Sequence, residues 1–323
     1  MSDVSDRDAR VLLMNTETVP CPQCGALQFA HLVARADGFN IVRCSRCELA
    51  YVNPRPRDDE IQALYARDYY DGCSDKDVGY VQYDRTPGLI RATPPFDWTL
   101  ISRAVSLRGL RALDVGCAFG AMVYWMRQAG ATATGVDLSA ESTSWGKSQL
   151  GLDLRCCALE HLGESAGTFD LITMVDLIEH VPHLSVFLAR VRDLLKPGGR
   201  VFVRTPNFAC FAHYGDECAF LRFSLEHLLY FEPATLRRAF ESAGFEVCDD
   251  VRVLDVTSQR TSDVLAARAL RVPAWRRALR RLPFADLLRL VRSRVVAVSQ
   301  EYRFDATGKQ GSMIVGWFRR PLE

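Results

Sequence analysis

The stretch "LRALDVGCAFG" (Leu110–Gly120) decides the fold. It begins as a short apolar run, passes through Asp114 and ends in two glycines. The next segment, "AMVYWMRQAG", places its apolar residues on one broad helical face. A strand, a glycine turn and a helix in this order form the ligand-binding crevice of an open α/β sheet. The motif alone has low specificity, because any nucleotide-binding fold of this class could contain it.

The segments that follow continue the alternation of strand and helix. "TATGVDLS" predicts a second strand ending in Asp137, about twenty residues after the loop, where an acid can bind ribose hydroxyls. "LDLRCCALEHL" and "FDLITMVDLIEHVPH" predict a third and a fourth strand. A helix stopped by "KPGG" precedes the fifth, "RVFVRTPN", and a helix from Pro233 to Gly244 precedes the sixth, "FEVCDDVRVLDV". "SMIVGWF" predicts the last strand, and the expected fold class is α/β with a Rossmann-like sheet.

Two Cys-x-x-Cys pairs stand before this region, in "CPQCGALQF" (Cys21–Phe29) and "RCSRCELAYVNPRP" (Arg43–Pro56). Zinc favours four such ligands in a tetrahedron, here Cys21, Cys24, Cys44 and Cys47. The segment between the pairs predicts two strands joined by a turn at Asp37-Gly38, which is the pattern of a zinc ribbon. Four thiolates leave no open position, so the zinc is expected to be structural. Iron in a rubredoxin-like site and four ordinary buried thiols are the alternatives.

Composition limits the remaining possibilities. The 323 residues are 48% hydrophobic and have a formal net charge of +1. This nearly neutral charge argues against binding of nucleic acid by general electrostatic attraction. No apolar run reaches the roughly 20 residues of a membrane span. The N-terminus, "MSDVSDRDAR", is polar and has no signal-peptide core. These features predict a cytoplasmic location, where the eleven cysteines are thiols or metal ligands.

Five segments together resemble the class I S-adenosylmethionine (SAM)-dependent methyltransferases: "LDVGCAFG", "GVDLS", "FDLITMVDLIEHV", "LLKPGGRVFVRTPN" and "EHLLYFEPATLRRAFESAGF". The cysteine pairs, followed by "YVNPRP" and "LYARDYYDG", resemble a bacterial subgroup in which a zinc ribbon precedes the methyltransferase domain. That subgroup is often associated with methylation of sugars, cell-surface glycans or natural products. The expected domains are a zinc ribbon at 15–56, a Tyr-rich connection at 57–108, and a methyltransferase domain at 109–323 with a helical insertion at 258–308. The segment from Tyr65 to Tyr83 in the connection is expected to fold over the cofactor.

The resemblance also implies which residues would contact SAM. The cofactor-binding residues expected are Asp114, Gly116, Cys117, Gly120, Asp137, Leu138, Leu159, Val175 and Asp176. Asp114, Val175 and Asp176 would lie near the methionine end, Asp137 at the ribose, and Leu138 and Leu159 at the adenine. Cys157 and Ala158 depart from the acid or polar residue that many relatives have at this place, so adenine contact is expected to rest on the backbone there. The loop lacks G-x-G-x-x-G, which disfavours an NAD enzyme.

Methyl transfer to a hydroxyl needs a positioned base, and histidine suits that task near neutral pH. His227, in "SLEHLLYF", and His180, in "DLIEHVPH", are the candidates, with His227 preferred. An ordinary histidine pKa would leave either one mostly neutral at pH 7. "DLIEHV" also resembles the stretch of ubiquinone-type O-methyltransferases in which acids and a histidine bind a divalent ion, here Asp176, Glu179 and His180. The interpretation favoured is that Glu179 and His180 orient the loop without a metal.

The expected activity is SAM-dependent O-methylation of a sugar, glycan or natural-product hydroxyl. Methylation of a sugar carbon, an RNA base methyltransferase with a zinc module, and a non-catalytic binding module are the alternatives. No N-P-P-[YF] motif follows the fourth strand, so methylation of a nucleobase amine is not indicated. Residues 268–294 are rich in Arg and predict two amphipathic helices that pack on the domain. The alternative hypothesis is a peripheral contact of this segment with anionic lipid at the inner membrane face. The sequence does not indicate an oligomeric state.

Overall fold

The computed structural model describes residues 14–35, 37–66, 87–210, 226–248, 251–254, 304–305 and 312–322. Their strands are β1 (Thr16–Glu17), β2 (Phe29–Ala34), β3 (Asn40–Cys44), β4 (Ala50–Val52), β5 (Arg55–Pro56), β6 (Arg111–Val115), β7 (Thr132–Asp137), β8 (Asp153–Cys156), β9 (Phe169–Val175), β10 (Leu195–Pro206), β11 (Leu229–Tyr230), β12 (Glu246–Val247), β13 (Arg252–Leu254), β14 (Phe304–Asp305) and β15 (Met313–Arg319). Their α-helices are α1 (Asp58–Ala66), α2 (Pro87–Ala92), α3 (Trp98–Ala104), α4 (Ala121–Gln128), α5 (Ala140–Leu150), α6 (Leu184–Leu194) and α7 (Pro233–Ser242).

The main sheet has the order β14-β13-β15-β10-β9-β6-β7-β8, with β12 also paired to β15. The strands from β10 through β8 in that order run parallel, whereas β15 is antiparallel to β10. The predicted alternation of strand and helix is therefore confirmed as a Rossmann-like α/β fold with a mixed sheet. β6 lies between β9 and β7, so the glycine loop that follows it opens at the middle of the carboxyl edge.

Helices cover both faces of this sheet and bury its apolar strands. On one face α4 buries Met122, Val123 and Met126 in one apolar cluster. On the other face α6 contributes five buried residues to a second cluster: Leu184, Phe187, Leu188, Val191 and Leu194. Both helices place these residues at the three- and four-residue spacing of an amphipathic helix. Parallel strands covered in this way have apolar residues on both faces, as in "LRALDV" and "FDLITMV".

The N-terminal segment forms a second, four-stranded sheet with the order β11-β4-β3-β2. The predicted strand, turn and strand between the cysteine pairs are present as β2 and β3, and Gly38 in the turn has a φ of 88°. One strand of this sheet, β11, comes from far along the chain, and Tyr51 pairs with Leu229. Three of the paired cysteines, Cys21, Cys44 and Cys47, belong to the same buried apolar cluster as α6. The N-terminal sheet and the main sheet thus share one core.

Three predicted elements differ in detail. The third strand is shorter than predicted, because β8 pairs only with β7 and the chain then turns into a short 3-10 helix, Leu159–His161. The sixth strand is divided into β12 and β13, which pair with β15 at two separate places. β10 begins at Leu195, earlier than predicted, with a register shift before Arg200 that accommodates the "KPGG" segment.

Several predictions fall outside the described residues. This group contains residues 67–86 of the Tyr-rich connection, residues 211–225, and the Arg-rich segment with nearly all of the 258–308 insertion. The lipid contact of the Arg-rich segment and the domain boundaries stay predictions. Among the residues that the structure describes, no helix has the length and apolar character needed to cross a membrane.

Candidate active site

The loop after β6 is shaped by residues with positive φ. Gly116 has a φ of 73°, Gly120 of 84° and Ala118 of 45°. A Cβ atom on Gly120 would lie 2.6 Å from Leu152 Cδ1, and one on Gly116 would lie 2.9 Å from Leu177 Cδ1. Side chains at these two positions would strain the backbone and fill the space that brings the loop close to its surroundings. Glycine is therefore needed at both positions for the loop to pack against Leu152 and Leu177.

Asp137 ends β7 and organises this loop. Its carboxylate accepts hydrogen bonds from the backbone N–H of Ala118 (2.8 Å to Oδ2) and of Ser139 (2.8 Å to Oδ1). Ser139 in turn caps α5 by accepting from the Ser142 N–H at 3.2 Å. A carboxylate oxygen can accept more than one hydrogen bond, so these two bonds are compatible with the predicted contact of Asp137 to ribose hydroxyls. The acid predicted for ribose binding thus has a structural task as well.

The other predicted contacts on this side of the crevice divide into exposed and buried groups. Leu138 is 45% exposed beside Asp137, so its side chain is available to a ligand. Leu159 is only 3% exposed and belongs to the main apolar cluster, so its side chain does not face the crevice. Cys117 is also buried, and its Sγ would be 2.6 Å from a Cβ on Gly135. Its thiol packs inside the domain, and its contribution to the crevice is its backbone.

Asp114 lies at the end of β6 with its carboxyl buried. Burial raises the pKa of this carboxyl to about 7, although a hydrogen bond from the Thr173 hydroxyl (2.6 Å) opposes the shift. Val175, the last residue of β9, is half-buried at the same edge. Asp114 and Val175 therefore lie on adjacent strands, with β6 and β9 in parallel register.

Asp176 follows β9 with a φ of 50° and forms an ion pair with Arg204 of β10. The same guanidinium contacts Asp97, with Nη1 2.9 Å from Oδ2, and its Cζ lies 5.7 Å from the centroid of the Phe96 ring. Asp97 is buried, which raises the pKa of its carboxyl to about 6. Neither Asp97 nor Arg204 was predicted as a site residue. A charged residue inside the apolar strand "RVFVRTPN" was the indication available in the sequence.

Glu179 and His180 follow in a short 3-10 helix, Ile178–His180, and contact the segment before β11. The Glu179 carbonyl accepts from the Leu228 N–H at 2.9 Å, and its carboxyl accepts from the Thr205 hydroxyl at 2.8 Å. His180 Nδ1 lies 3.1 Å from the Glu226 carbonyl oxygen. These contacts support the interpretation that Glu179 and His180 orient the loop after β9.

The two histidines predicted as candidate bases are neighbours. The ring centroids of His180 and His227 are 4.8 Å apart, and the rings are nearly perpendicular. Burial lowers the pKa of both imidazoles, and for His227 the nearby His180 and Arg35 lower it further. The ordinary pKa expected from the sequence is therefore corrected: both rings are neutral at pH 7, and their basicity is reduced. Histidines with lower pKa values stay unprotonated over a wider acid range.

The possible divalent site differs from the one inferred by resemblance. The ligand atoms of Glu179, His180 and His227 lie within 4.8 Å of one another. Asp176 is not part of this group, because its carboxylate pairs with Arg204. The three residues could hold a cation, but each also has contacts that fix the local backbone or ring.

The four predicted zinc ligands meet in a single cluster. Cys21 Sγ is 3.4 Å from Cys47 Sγ, and Cys24 Sγ is 3.5 Å from Cys44 Sγ. All four sulfur atoms lie within 4.8 Å of one another. A tetrahedral zinc with Zn–S bonds of about 2.3 Å sets sulfur atoms roughly 3.8 Å apart, so the donor set and its size fit the ion.

Comparisons with known proteins find similarity to methyltransferases. A family model described as a methyltransferase domain matches residues 90–249. The ubiquinone biosynthesis O-methyltransferase of Dechloromonas aromatica (strain RCB) is 34% identical over 163 residues, covering 46% of this chain and 69% of that protein. The protein of the same name from Nitrosococcus oceani is 35% identical over 167 residues, covering 47% of this chain and 70% of that protein. A solved SAM-dependent methyltransferase from Mesorhizobium loti is 16% identical, with a TM-score of 0.45, and the match covers 69% of this chain and 97% of that one.

Proposed function

This chain belongs to the SAM-dependent methyltransferases, and we propose that it methylates a hydroxyl oxygen of a small organic acceptor. The observation that supports this proposal is the pair of neutral histidines, His180 and His227, at the carboxyl edge of the sheet. The relatives named above are O-methyltransferases, which agrees with a hydroxyl acceptor. Their name refers to ubiquinone biosynthesis, and the sugar or glycan acceptor expected from the sequence is therefore not retained.

SAM is the cofactor of this family, and the residues around the glycine loop fit it. The positive φ of Gly116 and Gly120 shapes the loop after β6, and Asp137 lies beside that loop with its carboxylate bonded to the Ala118 N–H. Leu138 offers an exposed apolar side chain beside that acid. When bound, SAM supplies an activated methyl group on a sulfonium. The task left to the protein is to position the acceptor oxygen in line with that methyl and to take up its proton.

We assign the proton acceptor to His227, with His180 as the alternative. Proton transfer is most efficient when the pKa values of base and acid are close, and burial makes these imidazoles weaker bases than usual. A phenolic hydroxyl, with a pKa near 10 as in tyrosine, is a far better proton donor than an aliphatic alcohol. The lowered basicity of the histidine pair thus favours a phenolic acceptor over a sugar hydroxyl.

The experiment is a comparison of acceptors with isotopically methyl-labelled SAM. A set of catechols and phenols is assayed beside sugars and sugar nucleotides, and mass spectrometry locates the added methyl group. The proposal expects labelled methyl ethers from the phenolic set and none from the sugars. Methylation at carbon or nitrogen, or turnover only with sugars or with RNA fragments, would refute it.

The cysteine cluster supports a second proposal, that Cys21, Cys24, Cys44 and Cys47 bind one structural zinc ion. The cluster includes neither histidine of the candidate pair and offers four ligands, which leaves no open coordination position for catalysis. Elemental analysis of the purified chain tests the proposal and separates zinc from iron, which could use the same four sulfur ligands. About one zinc per chain is expected, and a folded chain without zinc would contradict it.

A further inference from the structure

The turn between β2 and β3 reaches from the N-terminal sheet to the backbone of His227. Arg35 stands directly after β2, and its Nη1 donates to the His227 carbonyl oxygen at 2.9 Å and to the Tyr230 hydroxyl at 2.9 Å. The Tyr230 hydroxyl lies 3.3 Å from the same carbonyl oxygen. Two residues from separate parts of the chain therefore converge on one carbonyl group, and that carbonyl belongs to the candidate base.

This guanidinium is fully buried, which makes its partners necessary. The side chains of Arg35 and Asp37 are both 0% exposed, and Arg35 Nε donates to Asp37 Oδ1 at 3.0 Å. A buried charge is costly unless it is paired and hydrogen-bonded. Asp37 supplies the opposite charge within the same turn, and its Oδ1 also accepts from the Phe39 N–H at 3.3 Å. The turn thus holds Arg35 in one orientation, aimed at the segment 227–230.

The residue after His227 is fixed from two sides. The Leu228 N–H donates to the Glu179 carbonyl at 2.9 Å, and the Leu228 carbonyl accepts from the Val52 N–H at 2.9 Å. Glu179 belongs to the loop after β9, whereas Val52 belongs to β4 of the N-terminal sheet. Contacts from the loop after β9 and from the N-terminal sheet therefore fix the backbone next to His227. Arg35 provides the side-chain hydrogen bond to the carbonyl of His227 itself.

We propose that Arg35 is a positioning residue for methyl transfer, and that through it the turn of the N-terminal sheet sets the orientation of the His227 imidazole toward the acceptor. The inference rests on the proposed function, in which His227 is the base. Arg35 touches neither the acceptor nor the cofactor in this account. A misplacement of about 1 Å from a substitution distant from the chemistry can cost on the order of a hundredfold in rate, so a positioning residue has a measurable effect.

The test compares Arg35→Lys with Arg43→Lys in the full chain. Arg35→Lys keeps a charge for Asp37 but loses the planar fork that reaches His227 and Tyr230 together. Arg43 of the same N-terminal sheet pairs with Glu232 at 2.7 Å, a partner other than His227 or Tyr230, so Arg43→Lys is the matched control. We expect Arg35→Lys to lower kcat at least about tenfold with SAM affinity unchanged, and the control to keep kcat within twofold. Unchanged kcat in Arg35→Lys would overturn the proposal.

A spectroscopic measurement separates positioning from general stability. In chain labelled at histidine, the ring resonances of His227 should shift in Arg35→Lys, whereas those of the exposed His161 should not. If Arg35→Lys does not fold, Tyr230→Phe removes a hydroxyl partner of Arg35 and of the His227 carbonyl without changing charge. It should shift the same resonances and lower kcat severalfold. Unshifted His227 resonances in the folded variant would overturn the inference.

The two proposals can fail separately. In a His227→Ala background, Arg35→Lys should cause no further loss of kcat, because the two substitutions act through one residue. A full additional loss would overturn the positioning role while leaving His227 as the base. Near-wild-type turnover of His227→Ala would instead refute the assignment of the base, and the His227 resonances would still show whether Arg35 orients this ring.

Discussion

The imidazole rings of His180 and His227 meet edge to face, with their centroids 4.8 Å apart, although the two residues come from different segments of the chain. His180 is held by the carbonyl of Glu226, the residue directly before His227, at 3.1 Å. The pair therefore shares one backbone segment, and a change in either residue alters the surroundings of the other. Which ring takes the proton is a question that paired substitutions can answer.

His227→Ala should lower kcat by roughly 10²–10⁴-fold at saturating SAM, since a positioned base contributes about that much. His180→Ala should lower it less, because His180 acts on the geometry of the pair. Burial lowers the pKa of both rings, so the wild-type rate should fall only well below pH 6.5, where the base becomes protonated. This acid limb should disappear in His227→Ala. Equal turnover in both variants and the wild type would exclude a histidine base at either position.

Asp137→Asn should weaken SAM binding by about 1.5–3 kcal/mol, because it removes the charge from the acceptor of the ribose hydrogen bonds. Asp137→Ala should weaken it more, since the Ala118 and Ser139 N–H groups also lose their partner. Titration calorimetry measures both affinities. Asp153→Asn at the opposite end of the neighbouring strand is the control, because Asp153 accepts from Thr134 and lies outside the crevice. SAM affinities equal to wild type in both Asp137 variants would contradict this placement of the cofactor.

Gly120→Ala should destabilise the fold by more than Gly109→Ala. Both glycines have a φ near 80°, so both substitutions cost about 1–2 kcal/mol of backbone strain. Only at Gly120 would the new Cβ approach Leu152 Cδ1 to 2.6 Å, whereas Gly109 faces open space. Overpacking adds about 1–3 kcal/mol at Gly120. Urea unfolding measures the free energy of unfolding of both variants. Equal losses of stability at Gly120 and Gly109 would show that the loop accepts a side chain at Gly120.

Glu179→Gln should raise stability at pH 8 relative to the wild type and have little effect near pH 5. Burial raises the pKa of this carboxyl to about 8 in the folded state, from 4.5 when unfolded. Between these values the folded chain keeps a proton that the unfolded chain releases. The stabilisation is therefore complete below pH 4.5 and is lost as the pH rises toward 8, by at most about 1.4 kcal/mol per pH unit. Gln imitates the protonated form at every pH. Parallel stability curves for the two proteins would contradict a raised pKa.

Cys44→Ser should abolish stoichiometric zinc binding and lower the melting temperature of the whole chain. Cys44 lies in the apolar cluster that also contains α6, so damage to the cysteine site reaches the main sheet. Cys248→Ser, at an exposed cysteine outside the cluster, should change neither quantity. Elemental analysis and calorimetric melting provide the two readouts. A Cys44→Ser chain that retains equimolar zinc would show that Cys44 is not a zinc ligand.

The fold was predictable where it depends on local pattern. The strand, turn and helix at 110–128 and the turn at Asp37-Gly38 follow from apolar periodicity and glycine placement, and the structure contains them. The contact of Arg35 with His227 was not predictable, because it joins residues far apart in the sequence through a side-chain orientation that only packing determines. The Arg204 pair with Asp97 was missed for the same reason.

The site itself was only partly predictable. The types of residue at Asp137 and at the two glycines follow from what a nucleotide requires, and the structure places them together at one edge. Burial was the property that the sequence could not supply. It turned the Leu159 side chain away from the crevice and lowered the pKa of both histidines.

The pairing of Tyr51 with Leu229 has a consequence for how the chain is made. Ribosomes add about 5–20 residues per second, so β4 is synthesised roughly 9–36 s before β11. Throughout that interval the first sheet of the protein has an unsatisfied edge, which is a template for unwanted pairing with another chain. The part of the molecule synthesised first is thus among the last to be completed.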